Sequence, residues 1–215
     1  YEDGVTIVEA IKNSLNIDNV VTLKGPSFAI EVMEHADTLL TLGYSTNEQY
    51  ALIKKMINNT SLHIDYTKDI RGVEVLSVLK NIYALVLGVV DAKYNSSNTR
   101  FMILTKAFSE IRVLLQKLGG TDDTLFLACG FGDLCLTSLN DLSRNRTLGL
   151  LIGKGFFNTD YKSNSLILEG LNAIEVFYDS IGDEQTEDLP IFNKLYRFFA
   201  NKENELEFKF SELVD

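Results

Sequence analysis

A single lysine stands in the middle of an apolar stretch, and its ammonium group is the first candidate for chemistry. Aliphatic residues surround Lys80 from Leu76 to Leu87, a pattern typical of a helix that is buried on nearly all sides. A buried ammonium is costly unless a partner offsets its charge. One helical stripe carries Glu74, Ser77, Lys80 or Asn81, and Ala84, so we expect this stripe of polar and small residues to face something other than hydrophobic core. Lys80 is then either a proton donor or acceptor in the wall of a site, or a side chain that extends to the surface.

A glycine-rich turn supplies a candidate carboxylate. Gly130-Phe131-Gly132 directly precedes Asp133, and Thr137 follows one helical turn later. Glycines let a backbone come close to a ligand, so the turn could present Asp133 to one. The alternative for Asp133 is an ordinary Asx turn.

A second candidate turn begins at Ser143. As a predicted N-cap, Ser143 puts Arg144, Asn145 and Arg146 in the first turn of a helix. Arginines there oppose the helix dipole, which favours anions at the N-terminus. A phosphate held jointly by guanidinium and backbone N–H groups removes this conflict, which predicts a small phosphate ester as ligand. The alternative is two solvated surface arginines.

The segment Lys24–Ala29 places Gly-Pro-Ser at a predicted strand-to-helix turn. Such a turn can present backbone N–H groups to an anion, and a plain strand–turn–helix connection is the simpler alternative. No Gly-x-Gly-x-x-Gly follows a predicted strand, so the residues by themselves indicate no dinucleotide site.

Composition narrows the function classes. The chain has 215 residues and a formal net charge of −10, which argues against a nucleic-acid-binding protein but is compatible with a local basic pocket. Cys129 and Cys135 have no zinc-site spacing, so we expect two reduced thiols, no metal and a cytoplasmic location. No run reaches about 18 uninterrupted apolar residues, so we expect no membrane span.

Periodicity divides the chain into two parts. The first third alternates short strands and helices, which indicates an α/β piece, and nearly everything after Asp69 has helical period. We therefore expect an α/β domain at 1–68 and an all-α domain at 69–215. The predicted helices of the second part lie at about 73–90, 98–118, 122–128, 143–153, 164–181 and 190–202.

Together these motifs resemble the NAD(P)-dependent sn-glycerol-3-phosphate dehydrogenases of the bacterial cytosolic type, over about residues 1–180. The resemblance implies the C-terminal part of a Rossmann-type NAD(P)-binding domain followed by an all-α domain like that of 6-phosphogluconate dehydrogenase. The matching segments are Gly25-Pro26-Ser27-Phe28-Ala29-x-Glu31, Asp69-x-x-Gly72-Val73-Glu74, Leu79-Lys80-Asn81, Asn98-Thr99, Gly130-x-Gly132-Asp133-Leu134-x-x-Thr137, Ser143-Arg144-Asn145-Arg146 and Glu169-Gly170.

The resemblance also implies an activity and a role for each residue. The family interconverts dihydroxyacetone phosphate and sn-glycerol 3-phosphate by hydride transfer with NAD or NADP, which feeds glycerophospholipid synthesis. The implied catalytic residues are Lys80, which exchanges a proton with the C2 oxygen, and Asp133, which holds the lysine. The implied substrate-binding residues are Gly25, Ser27, Lys80, Asn81, Asp133, Thr137, Ser143, Arg144 and Asn145. The implied cofactor-binding residues are Ala29, Arg144, Ile167 and Glu169.

The sequence departs from the family pattern in two places. The Gly-rich dinucleotide loop would precede Tyr1, so we expect a C-terminal portion of a homodimeric dehydrogenase, inactive without its N-terminal part. The loop 91–97 lacks the glycines usual before Asn98-Thr99. The alternative function is a non-catalytic helical fragment that binds phosphate esters or dimerises without a cofactor lobe.

Overall fold

The computed structural model describes residues 4–156, 165–182, 186, 188–200 and 206–213, and for 165–171 and 212 the backbone alone. Short strands and helices alternate up to Thr67, and helices follow, in the order that the sequence predicts. The elements are α1 (Ile7–Leu15), β1 (Thr22–Lys24), α2 (Ala29–Met33), β2 (Thr38–Gly43), α3 (Asn47–Met56), β3 (Leu62–Thr67), α4 (Ile70–Lys93), α5 (Ser97–Lys117), α6 (Asp122–Leu125), a π-helical segment (Ala128–Gly132), α7 (Asp133–Leu139), α8 (Arg144–Gly153), α9 (Ser165–Ile181), α10 (Pro190–Phe199) and a 3₁₀ turn (Phe210–Leu213).

The chain packs as two compact units that are not continuous in sequence. We call Val5–Lys80 with Leu115–Leu136 the sheet unit, and Tyr1–Gly4, Asn81–Leu114 and Thr137–Asp215 the helical unit. The sequence predicts two domains that are each continuous in the chain, with a boundary between residues 68 and 69. The compact units are discontinuous and do not test that boundary, which stays a prediction.

The sheet unit is built on three strands in the order β1-β2-β3. β1 pairs antiparallel with β2, with Thr22 opposite Gly43, and β3 pairs parallel with β2. Thr46 caps α3 through a reciprocal capping box with Gln49. Side chains on β2 and β3 accept backbone hydrogen bonds from the segment Ala128–Gly132 of the same unit.

Glu74 explains one end of the polar stripe on α4. Its buried carboxylate accepts the Val8 backbone N–H at 2.9 Å and the Thr22 hydroxyl at 3.2 Å. The start of α1 is therefore fixed to α4 by a charge-assisted hydrogen bond, since a buried carboxylate needs donors. At Glu74 this stripe therefore faces hydrogen-bond donors, whereas at Ala84, which is fully buried, it lies in the core.

In the helical unit, α4 and α8 touch backbone to backbone. A Cβ placed on Gly88 would lie 2.1 Å from the Arg146 carbonyl oxygen, and one on Gly149 would lie 1.9 Å from the Leu85 carbonyl oxygen. No side chain fits in this crossing, so glycine is required on both helices. By length and composition α4 could also cross a membrane. However, 78% of its most apolar 18-residue stretch is buried inside the protein, which is typical of the core helix of a globular protein.

The sequence prediction differs from the structure after Thr121. A helix was expected at 122–128, but α6 ends at Leu125, and a π-helical segment and α7 follow it. Two glycines within five residues weaken the helical pattern there, so periodicity did not resolve these elements.

Glu110 holds the start of α10 from within the core of the helical unit. Its carboxylate accepts the Ile191 and Phe192 backbone N–H groups at 2.7 and 2.9 Å and the Tyr83 hydroxyl at 2.7 Å. Burial raises the pKa of Glu110 to about 7, although these three hydrogen bonds act in the opposite direction. A helix N-terminus is thus capped by a side chain distant in sequence.

We expect the free energy of unfolding to fall as pH rises from about 4.5 to about 7. In this window the folded chain keeps a proton on Glu110 that the unfolded chain, with an ordinary pKa of 4.5, has released. The loss is at most roughly 3–4 kcal/mol. Denaturant titrations across this range measure it. Glu110→Gln should remove this part of the pH dependence, while Glu31→Gln, at an exposed site on α2, should keep it. An identical pH dependence in Glu110→Gln would contradict the assignment.

Candidate active site

Lys80 and Asp133 form an ion pair within the sheet unit. Lys80 Nζ donates to Asp133 Oδ2 at 2.6 Å. The Asp133 side chain is 3% exposed and the Lys80 side chain 21%. The Lys80 ammonium is therefore held by a buried carboxylate and does not extend into open solvent, although part of the Lys80 side chain stays accessible. An ammonium held in this way is oriented to exchange a proton with an oxygen that binds beside it.

The π-helical segment Ala128–Gly132 delivers Asp133 to this position. Its first two backbone N–H groups donate to Asp65 Oδ2 at 2.9 Å on β3 and to Thr41 Oγ1 at 2.8 Å on β2. The segment is thus tied to two neighbouring strands before α7 begins at Asp133. Such π-helical turns recur at functional sites, where they redirect side chains.

The two glycines of this segment have different environments. Gly130 is buried, and a Cβ there would lie 2.1 Å from the Leu125 carbonyl oxygen. A Cβ on Gly132 would lie 3.4 Å from Pro26 Cγ, which is an ordinary contact distance. Gly132 therefore lies against the Gly25-Pro26-Ser27 turn, so the structure brings two of the predicted ligand-binding turns together.

Gly25, Ser27 and Ala29 all belong to the sheet unit. Gly25 is buried with φ +156°, and a Cβ there would lie 3.0 Å from the Leu39 carbonyl oxygen, so the turn requires glycine. Ser27 is exposed, and its hydroxyl donates to the Gly25 carbonyl at 3.1 Å. Ala29 is exposed at the first residue of α2.

The Ser143 turn has the geometry that the sequence predicts. Ser143 is the N-cap of α8, and its hydroxyl accepts the Arg146 backbone N–H at 3.3 Å. Arg144 is exposed and Asn145 is half-buried. An exposed guanidinium beside a helix N-terminus suits a phosphate group.

Arg146 differs from both sequence interpretations. Its guanidinium is buried, pairs with Asp91 through Nη1 and with Asp141 through Nε, and also donates to the Ser138 carbonyl. It is neither a solvated surface arginine nor open to a ligand, because two carboxylates already offset its charge. Of the two arginines in this turn, Arg144 is the exposed one.

The remaining predicted residues lie in the helical unit. Asn81 is half-buried on α4, and Thr137 is buried on α7. Ile167 and Glu169 fall in α9, where their side chains lie outside the described residues. The structure thus unites Lys80, Asp133 and the Gly25–Ser27 turn in one unit, and it places the Ser143 turn in the other.

Sequence reasoning missed Asp91. Its buried carboxylate bridges two guanidinium groups, with Oδ1 accepting from Arg100 Nε at 2.5 Å and Oδ2 from Arg146 Nη1. The signal was present: Asp91 ends an apolar run on α4, where an unpaired acid is costly. This sequence position indicates a buried charge at Asp91, but it does not indicate which residues pair with that charge.

No group of three His, Cys, Asp or Glu side chains could hold a metal ion in the part of the chain that the structure describes. Cys129 and Cys135 are both free thiols. Burial raises the pKa of the Cys129 thiol to about 12, so this cysteine stays protonated and unreactive near neutral pH.

The fold occurs in solved glycerol-3-phosphate dehydrogenases. The chain superposes on the enzyme of Coxiella burnetii with a TM-score of 0.81 at 23% identity, covering 98% of this chain and 63% of that one. The chain superposes on the Saccharomyces cerevisiae enzyme with a TM-score of 0.76 at 20% identity, covering 95% of this chain and 60% of that one. At this identity the likeness shows the fold.

Curated relatives are more similar in sequence. The chain is 32% identical over 203 residues to a glycerol-3-phosphate dehydrogenase (NAD(P)+) of Methanothermobacter thermautotrophicus, covering 93% of this chain and 60% of the relative. It is 35% identical over 196 residues to that of Clostridium botulinum, covering 90% and 58%. The chain thus spans about three fifths of the length of the curated relatives that it matches.

The family profile described as NAD-dependent glycerol-3-phosphate dehydrogenase C-terminus matches residues 69–208. The chain belongs to the NAD-dependent glycerol-3-phosphate dehydrogenase family. The resemblance drawn from the motifs is therefore confirmed, and so is the fold class of a helical C-terminal part preceded by an α/β piece.

We expect Gly130→Ala and Gly132→Ala to differ sharply in stability. At Gly130 the new methyl group would meet the backbone oxygen of Leu125 at 2.1 Å, which cannot move aside cheaply. Overpacking of this kind costs roughly 1–3 kcal/mol or more. At Gly132 the methyl group would make a normal contact with Pro26. Thermal unfolding of both variants measures the difference, and equal melting midpoints would contradict this account of the turn.

Proposed function

We propose that the protein interconverts dihydroxyacetone phosphate and sn-glycerol 3-phosphate with NAD or NADP, and that the product serves glycerophospholipid synthesis. The observation that carries the proposal is the Lys80–Asp133 pair, with 2.6 Å between Nζ and Oδ2. Family membership supports the same reaction. Because the chain spans only part of its relatives, the activity is proposed for the protein that contains it.

Lys80 exchanges the proton at the C2 oxygen of the substrate. Reduction of the ketone turns this oxygen into a hydroxyl, and oxidation reverses the change, so the oxygen needs a donor in one direction and an acceptor in the other. The ammonium of Lys80 supplies that proton, and the amine left behind takes it back. Asp133 holds Nζ in one place and offsets the charge of the ammonium in its largely buried setting.

The Ser143 turn binds the phosphate monoester. Arg144 supplies an exposed guanidinium, and Asn145 and the first backbone N–H groups of α8 supply neutral donors. Arginine matches phosphate oxygens with two parallel hydrogen bonds. Because the phosphate does not react, its binding energy serves to orient the ketone.

The residues present fit the nicotinamide end of a dinucleotide but not its pyrophosphate. Ser27 and Ala29 are small and exposed, so neither side chain would obstruct a planar ring beside the Gly25–Ser27 turn. The sequence has no Gly-x-Gly-x-x-Gly after a strand that would hold a pyrophosphate. When bound, the nicotinamide supplies or accepts the hydride at C2. Arg144, Ile167 and Glu169 stay predicted cofactor contacts.

A cytoplasmic homodimer completes the proposal. Two free thiols, one of them deeply buried, are compatible with a reducing compartment. The dimer and the location remain predictions from the sequence.

Lys80→Ala should lower kcat for dihydroxyacetone phosphate by roughly 10²–10⁴-fold, the usual contribution of a general acid. The affinity for sn-glycerol 3-phosphate should change little, because the phosphate is held elsewhere. Steady-state kinetics and calorimetry measure the two effects. Lys93→Ala, near the end of the same helix, is the matched control, since its partner Glu207 is exposed. An unchanged kcat in Lys80→Ala would refute the assignment. Binding without turnover in the protein that contains the unaltered chain would instead favour the non-catalytic phosphate-ester-binding function.

Arg144→Ala should raise KM for dihydroxyacetone phosphate about 10–100-fold, since a hydrogen bond to a charged group is worth roughly 1.5–3 kcal/mol. For dihydroxyacetone, which lacks the phosphate, kcat/KM should stay the same. Arg112→Ala, at an exposed position on α5, controls for loss of surface charge. A loss of equal size with both substrates would show that Arg144 does not contact the phosphate.

A further inference from the structure

Asp91 is the buried acid at the end of α4 that the proposed reaction leaves unused. Its side chain is 4% exposed, and each carboxylate oxygen accepts from a different arginine, Arg100 on α5 and Arg146 on α8. A carboxylate with this degree of burial is retained only where its partners offset the cost. Asp91 therefore joins three helices of the helical unit at one point.

Arg146 extends this junction to the residues that precede α8. Its Nε donates to Asp141 Oδ1 at 3.2 Å, and its Nη1 donates to the Ser138 carbonyl at 3.3 Å as well as to Asp91. One guanidinium thus contacts the end of α7, the loop between α7 and α8, and α4. The loop is folded around a side chain whose position depends on Asp91.

The same turn of helix carries the proposed phosphate contacts. Arg144 and Arg146 are two positions apart, so their side chains leave α8 on opposite faces. The inward one is buried with its charge offset, and the outward one is exposed. The backbone of Arg146 also lies close to Gly88, on the same helix that carries Asp91.

We propose that Asp91 is a positioning residue for phosphate binding: through Arg146 it sets the Ser143–Asn145 turn so that Arg144 meets the phosphate. Asp91 does not itself touch the ligand. The inference rests on the proposed function, because it presupposes that this turn binds a phosphate monoester. It adds a requirement that family membership does not state, namely a buried acid opposite the second arginine of the turn.

The test is a double-mutant cycle read by calorimetric titration with sn-glycerol 3-phosphate. Asp91→Asn should raise the dissociation constant about tenfold in the unaltered background. In the Arg144→Ala background it should raise the dissociation constant by a clearly smaller factor, since only Asn145 and the backbone N–H groups of the turn then remain to be positioned. Asp141→Asn is the matched control, because Asp141 pairs with the same arginine but is 87% exposed. It should change binding less than twofold.

Loss of fold is separated from loss of positioning by the melting midpoint of each variant. If Asp91→Asn does not fold, Arg146→Lys keeps a cation beside Asp91 but loses the contacts to Asp141 and Ser138. It should then weaken binding several-fold, and by a smaller factor when Arg144 is replaced by Ala. Equal fold-increases in both backgrounds, or unchanged binding in a folded variant, would overturn the proposal. If the protein that contains the unaltered chain binds no sn-glycerol 3-phosphate, the proposed function itself fails. If it binds and the cycle shows no coupling, only the positioning role fails.

Discussion

An ammonium group within an apolar helix requires a carboxylate beside it, and most of the sheet unit can be understood from that requirement. Lys80 lies on α4 among aliphatic neighbours, and Asp133 has to be brought to it from more than fifty residues away in sequence. The π-helical turn does so, and it is itself fixed by hydrogen bonds to β2 and β3. The sheet therefore contributes to the site indirectly, by fixing the backbone that presents the acid.

The same principle applies along α4. Glu74 accepts from the start of α1 and from Thr22, Lys80 donates to Asp133, and Asp91 accepts from two arginines. Each charged group on an otherwise apolar helix meets its partner from a separate segment of chain. Apolar packing gives α4 its burial, and these pairs decide which segments lie against it. On this one helix, the apolar residues thus provide the buried surface, and the charged residues determine which segments of the chain pack against it.

The sequence predicted much of this, and its failures have physical causes. Lys80 was identified because an ammonium is costly in its apolar local context, and Ser143 because N-cap chemistry is local. Arg146 was misread because the acids that neutralise it are not its helical neighbours. Asp91 was missed for the same reason, since pairing across elements leaves no local period. The two glycines around Phe131 concealed the π-helical turn, because glycine signals flexibility without specifying a shape.

The crossing of α4 and α8 has a consequence for how the protein tolerates substitution. Gly88 and Gly149 bring main chain against main chain, so the spacing of the two helices does not depend on the size of any side chain. Exchanges among Leu, Ile and Val elsewhere in the core can shift packed helices by fractions of an ångström, but they have little leverage on a backbone contact. The helical unit can therefore accumulate conservative core exchanges while the turn at Ser143 keeps its distance from α4. Core side chains can therefore change in size while the Ser143 turn keeps its position, because the backbone contact at Gly88 and Gly149 does not involve those side chains.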